Sequence, residues 1–206
     1  MRVETSSPLA ARVLLPLFLA FAPLPGQAQE AAVPPHSTLV IFADRPMQDS
    51  AWLQLFAALR ASLPAAEAEE ARLDPAPELL RGDRIVPGIV VEAPIAIYLH
   101  GDCVLANEPR RFPPSGALGW VRRSKGQIEP FIHVDCTRIG QMLETAKFGW
   151  NRQQRDEAMS QAVARVILHE WVHIATQSAF HCEHGLEQPA YGVADLLAAR
   201  PVSGGR

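Results

Sequence analysis

Apolar positions along the chain fall into two periods, one for strands and one for helices. Ser37 to Ala43 (STLVIFA) is a continuous run rich in β-branched residues and reads as a buried strand. Asp44-Arg45-Pro46 breaks it. From Asp49 to Leu63, Trp52, Leu53, Phe56, Leu59 and Leu63 recur at helical spacing, and Pro64 is expected to end that helix. Residues 65 to 84, rich in Ala, Glu and Pro, read as a loop or a short exposed helix. Two short apolar runs follow. Ile85 to Val91 is interrupted by Pro87-Gly88, and Ile95 to Leu99 makes the better strand. Residues 104 to 116 hold Pro109, Pro113 and Pro114 and read as loop. Leu118 to Arg122 and Ile128 to Val134 flank Ser124-Lys125-Gly126 as a hairpin. Arg138 to Phe148 reads as a helix, with Asp135 suited to cap its start. A longer helix is expected over Asp156 to Gln177. Strands first and a long helix late point to an α+β domain with one sheet.

Length and composition agree with one globular domain. The chain has 206 residues, 48% of them hydrophobic and 20% charged, with a formal net charge of -3. Its Lys and Arg residues are scattered, so no basic footprint for nucleic acid forms. The tightest group, Arg122, Arg123 and Lys125, reads as a solvated hairpin tip, and Glu67, Glu69 and Glu70 as a solvated acidic face.

The N-terminus reads as an address. Arg2 and Arg12 flank the apolar run Val13 to Leu24, which Pro16 and Pro23 break, and Gly26-Gln27-Ala28 supplies small residues for cleavage. Residues 1–28 are therefore expected to be a signal peptide. A flexible lead-in would occupy 29–36, the folded domain 37–200 and a disordered tail 201–206. The apolar run is too short to be convincing as a bilayer span, so no stable membrane insertion is expected after cleavage. Export implies a secreted or periplasmic protein in an oxidising compartment. Of the three cysteines, Cys103 and Cys136 each follow an apolar run that ends in Asp. Strand ends on the same edge of a sheet would bring them together, which favours a Cys103–Cys136 bridge and leaves Cys182 over.

The candidate chemistry lies in His169-Glu170-Trp171-Val172-His173, an HExxH match. Residues i and i+4 share one helix face, so both imidazoles can meet one ion. Zinc suits such nitrogen donors. Glu170, one step on, is placed to act as general base toward a metal-activated water. The helix is visible independently: Met159, Ala162, Val163, Val166 and Ile167 form an apolar face that the two histidines continue. Burying two imidazoles and a carboxylate without a metal would be costly, which weighs against ordinary core histidines. A catalytic zinc needs a third protein ligand. His181 is the first candidate and His184 the second, with Glu187 and Asp195 as remoter carboxylates. Cys182 would make a more closed site.

Over this helix the chain resembles the zincin metallopeptidases. The resemblance implies a twisted mixed sheet packed on a long active-site helix, with substrate along the edge strand. The chain departs from the metzincin pattern HExxHxxGxxH, having Thr176 and Ala179 where that pattern has Gly and His, and no Met after Met159. It departs from the gluzincins in that Glu187 comes early for their downstream ligand. The fuller pattern is similar to a poorly characterised group of small secreted bacterial proteins. There HExxH is followed by seven residues, a His and a nearby Gly, then an aromatic and an Asp-Leu pair. Here these are HEWVHIATQSAFH, Gly185, Tyr191 and Asp195-Leu196, with Leu118-Gly119-Trp120-Val121 and the two Asp-Cys pairs adding to the likeness. This implies His181 as third ligand and says little about substrate.

The expectation is thus an exported, zincin-like α+β metallopeptidase holding one Zn2+ on His169, His173 and His181, with Glu170 as general base and a peptide or protein as substrate. The alternatives are a non-catalytic zinc protein and a zinc amidase or esterase acting on cell-wall or small substrates. The sequence carries no signal for oligomeric state. Tyr191 reads as an ordinary half-buried tyrosine in preference to an oxyanion donor. His100 and His133 read as satisfied strand histidines, and Trp171 as packing beneath the site.

Overall fold

The computed structural model describes residues 38–69, 77–88, 90–91, 93–105, 116–146, 149–181, 186 and 188–198, with backbone only for 64–69. All belong to one compact unit, Ala31–Arg206. The signal peptide, lead-in and tail, most of the 104–116 loop, and Cys182, His184 and Glu187 lie outside the described residues.

The order is β1 (Thr38–Ala43), α1 (Asp49–Glu69), β2 (Glu78–Arg81), a 3₁₀ turn (Gly82–Arg84), β3 (Pro94–His100), β4 (Gly119–Ser124), β5 (Gln127–Asp135), α2 (Cys136–Leu143), α3 (Arg152–Thr176) and α4 (Val193–Leu196). The strands form one mixed sheet in the order β2-β1-β3-β5-β4. β1 runs parallel to β2 and β3, and β3 runs parallel to β5. The edge strand β4 is antiparallel to β5. The chain is therefore α+β, as its pattern implies.

Alternation along the strands separates two faces. Leu39 and Ile41 of β1, Ile97 and Leu99 of β3, and Ile132 and Val134 of β5 are fully buried in one cluster with Leu55 and Leu59 of α1 and Ile167 and Trp171 of α3. Each such aliphatic side chain stabilises the fold by about 2 kcal/mol. The opposite face carries a row of near-parallel rings. Phe42–Tyr98, Tyr98–His133 and His133–Trp120 have centroids 5.4, 5.3 and 5.1 Å apart, close to the strand spacing. His100 lies 3.0 Å from His133 through ring nitrogens, so both histidines are satisfied on the sheet.

Several local readings differ from the structure. Helix α1 does not stop at Pro64 but runs to Glu69. Proline removes one backbone donor and crowds the preceding turn, but the Ala-Ala-Glu-Ala-Glu that follows is strong helix former and carries the helix on. Residues 78–81, read as loop or helix, form β2, a short edge strand with only Leu79 and Leu80 as apolar signal. The described residues of Ile85 to Val91 form no strand: Pro87-Gly88 turns, with Gly88 at φ 95, and Val86 and Val90 are exposed. Helix α2 begins at Cys136 and ends at Leu143, short of Phe148.

Other readings hold. The hairpin β4–β5 closes on Lys125-Gly126, both at positive φ (50 and 86), as a two-residue hairpin turn of type I′ requires. Asp135 caps α2, its Oδ1 accepting from the Arg138 N–H at 2.9 Å. Cys103 and Cys136 are joined, with Cα atoms 4.8 Å apart. Adjacent parallel strands β3 and β5 both end at that edge, where His100 pairs with Asp135.

Candidate metal centre

Helix α3 holds the motif. It starts four residues earlier than its apolar pattern indicates because Asn151 and Gln154 form a reciprocal capping box. Its last turns are enclosed: His169, Glu170 and His173 are only 8%, 6% and 5% exposed. Trp171, between them, is fully buried beneath the site.

The two imidazoles are oriented by backbone carbonyls. His169 Nδ1 donates to Leu186 O at 2.6 Å, and His173 Nδ1 donates to Ser178 O at 2.7 Å. With each Nδ1 holding the proton, each Nε2 presents a lone pair. Those two Nε2 atoms face one another across 3.1 Å. Two acceptors in that arrangement repel unless a metal ion or a shared proton lies between them. Zinc held at 2.0–2.1 Å by tetrahedral nitrogens sets them about 3.3 Å apart, so this donor set fits a metal.

His181 completes the group. Its ring centroid lies 5.3 Å from that of His169 and 4.8 Å from that of His173. The ligand atoms of the three all lie within 4.8 Å of one another. His181 is the exposed member, and its ligand atom would have to come closer to reach ligating distance. Asp195 does not join the group; its Oδ2 accepts from the Gly192 N–H at 2.8 Å.

The chain returns to the site through Gln177. This residue caps α3 in the left-handed conformation, φ 52. Its side-chain amide accepts from Ile128 N at 2.8 Å and donates to Ile174 O at 2.8 Å and Ile128 O at 3.2 Å. The helix end is thereby clamped to the start of β5, and Ser178 O and His181 are directed back over the motif. Tyr191 stands behind His169: its hydroxyl is 3.0 Å from His169 Nδ1 and donates a short bond to Leu186 O. It supports His169.

Burial sets the electrostatics of the site. Burial, as the largest cause, brings the His169 pKa down to about 4, keeping the imidazole neutral as a metal ligand must be. Burial pushes the Glu170 carboxyl up to about 7, near the value a general base needs at neutral pH. Gly119, at the start of β4, makes room for that carboxylate. A Cβ there would lie 2.6 Å from Val166 Cγ1 and 3.0 Å from Glu170 Oε1.

These groups open onto a cavity of about 570 Å³, walled among the described residues by Leu118, Val121, Ile128 and Met142 on its apolar side and by Arg138 near Ala117. Sequence reasoning named Gly119 only as part of a resemblance and missed Gln177, Arg138 and the Leu186 and Ser178 carbonyls as parts of the site. A glycine opening the strand whose helix-facing side meets the motif was the one available signal. No family model, curated protein or solved structure matches the chain.

Proposed function

We propose that the chain is an exported zinc-dependent peptide hydrolase of zincin-like architecture. The observation that carries this reading is the pair of buried Nε2 atoms facing one another at 3.1 Å, both Nδ1 atoms being committed to carbonyls, beside the buried Glu170. His169, His173 and His181 would hold the metal. Three imidazoles suit zinc well, and three protein ligands leave a position open for chemistry. The metal supplies Lewis acidity that activates water and polarises a carbonyl. Glu170 accepts the proton of the attacking water and passes it to the leaving amine. β4, which begins at Gly119, is an edge strand of the sheet and would offer backbone groups for an extended peptide to pair with. The Cys103–Cys136 disulfide is compatible with an oxidising compartment, and no helix among the described residues is long and apolar enough to cross a membrane.

The test is elemental analysis with hydrolysis of a peptide library. Wild type is expected to carry one zinc and to cleave. Glu170→Gln should keep the zinc and lose cleavage by at least about a hundredfold. His169→Ala and His181→Ala should lose or loosen the metal. A folded wild type that takes up no zinc would end this reading.

A further inference from the structure

Arg138 is the one side chain with a permanent positive charge on the cavity wall among the described residues, and Glu170 is the one carboxylate. Its placement is built. It lies in the first turn of α2, two residues after the disulfide cysteine, and its Nη1 donates to Ala117 O at 2.9 Å. The guanidinium also rests against Gly116, where a Cβ would collide with it. Its charge is only partly met. Asp135 uses Oδ1 to cap α2, and its Oδ2 stands 3.9 Å from Arg138 Nε, beyond hydrogen-bond reach. Nη2 makes no bond among the described residues, and the side chain is 27% exposed. A planar fork with unspent donors at the edge of a mostly apolar cavity is suited to a carboxylate.

We propose that Arg138 determines specificity by binding a carboxylate of the substrate. This deepens the zinc-hydrolase reading and rests on it. Ala117, which anchors the guanidinium, precedes Gly119 by two residues, and Gly119 abuts Glu170. That chain of contacts keeps the guanidinium within roughly 10 Å of the general base, a span that two or three extended peptide residues cover. The favoured substrate is a peptide with a carboxylate at that distance from the cleaved bond and apolar side chains between. The carboxylate is either the C-terminus or an Asp or Glu side chain.

The test uses peptide hydroxamates two and three residues long, whose hydroxamate holds the metal whether or not peptides are cleaved. One arm ends in a free C-terminal carboxylate, a second carries a Glu side chain with an amidated end, and a third is neutral throughout. Binding is measured on the zinc-loaded protein. Because it adds a charge-assisted hydrogen bond, at least one carboxylate arm should bind about tenfold tighter than the neutral arm. That difference should vanish in Arg138→Gln and persist in part in Arg138→Lys, while the neutral arm binds all three proteins alike, reporting an intact site. Equal binding of charged and neutral probes by wild type would overturn the role of Arg138 and leave the hydrolase reading standing. So would a preference that survives in Arg138→Gln. Failure of every probe on a protein without zinc would overturn both.

Discussion

Glu170 occupies surroundings that oppose its charge, and that has a measurable consequence in the metal-free protein. Its folded pKa is about 7 against an ordinary 4.5, with burial as the cause. A carboxyl whose folded pKa is raised stabilises nothing by ionising. The folded state holds the proton longer than the unfolded one, so stability falls as pH rises from about 4.5 through 7. The full penalty, on the order of 3 kcal/mol, is present by pH 8 and absent near pH 4. His169, whose pKa burial lowers to about 4, acts in the other direction as pH falls below 6.5. Both variants of a comparison carry it, so it drops out of their difference. In chelator-treated protein, Glu170→Gln should therefore melt well above wild type at pH 8 and at the same temperature near pH 4. A constant difference across that range would mean the carboxyl does not titrate where burial places it. At this scale the motif was legible, because i and i+4 imidazoles with an adjacent Glu share a helix face whatever the fold. The carbonyls of Leu186 and Ser178 were not, because a backbone acceptor has no sequence signature.

At the scale of elements, the segment that returns His181 to the site depends on one side chain. The Gln177 amide satisfies the Ile128 N–H and two carbonyls while the residue itself sits at positive φ. Gln177→Ala would leave those backbone groups without partners and keep the left-handed strain, at a cost of about 1–3 kcal/mol. It would also release Ser178 O, which orients His173. Loss of such an orienting bond typically weakens metal binding 10–100-fold. Gln177→Gly relieves the strain without restoring the clamp, so it should recover stability but not zinc affinity. Zinc titrations and thermal melts of the two variants separate the contributions, and unaltered zinc affinity in both would remove Gln177 from the site. Elements whose pattern was strong were read correctly: β1, β3, the β4–β5 hairpin and α3. Errors came where a single residue or a neighbour decided the outcome. Pro64 was overridden by the helix formers after it. Strand β2, with two apolar residues, exists because β1 offers it a parallel partner, and such pairing lies outside any local window.

For the whole molecule, the Cys103–Cys136 bridge joins the ends of β3 and β5 and encloses the hairpin whose edge strand walls the cavity. The pairing was legible because two apolar runs end in Asp-Cys. Its value follows from length: a sequence separation of 33 residues implies loss of unfolded-state entropy worth about 4 kcal/mol. The cross-link and the metal ligands occupy different parts of the chain. The histidines and Gln177 follow Asn151, and the cross-linked hairpin meets them at Ile128, where Gln177 is bonded; Cys136 opens α2, which carries Arg138. Removing the bridge should therefore separate the two halves of the site. The double variant Cys103→Ser with Cys136→Ser is expected to lose about 4 kcal/mol on denaturant unfolding and still bind one zinc. Its hold on a carboxylate-bearing hydroxamate should weaken toward that on the neutral probe, because α2 is released from the end of β3 while α3 stays in place. Loss of zinc from a variant that still unfolds cooperatively would contradict this division. It would mean that α3 depends on the cross-linked edge of the sheet to bring its histidines together.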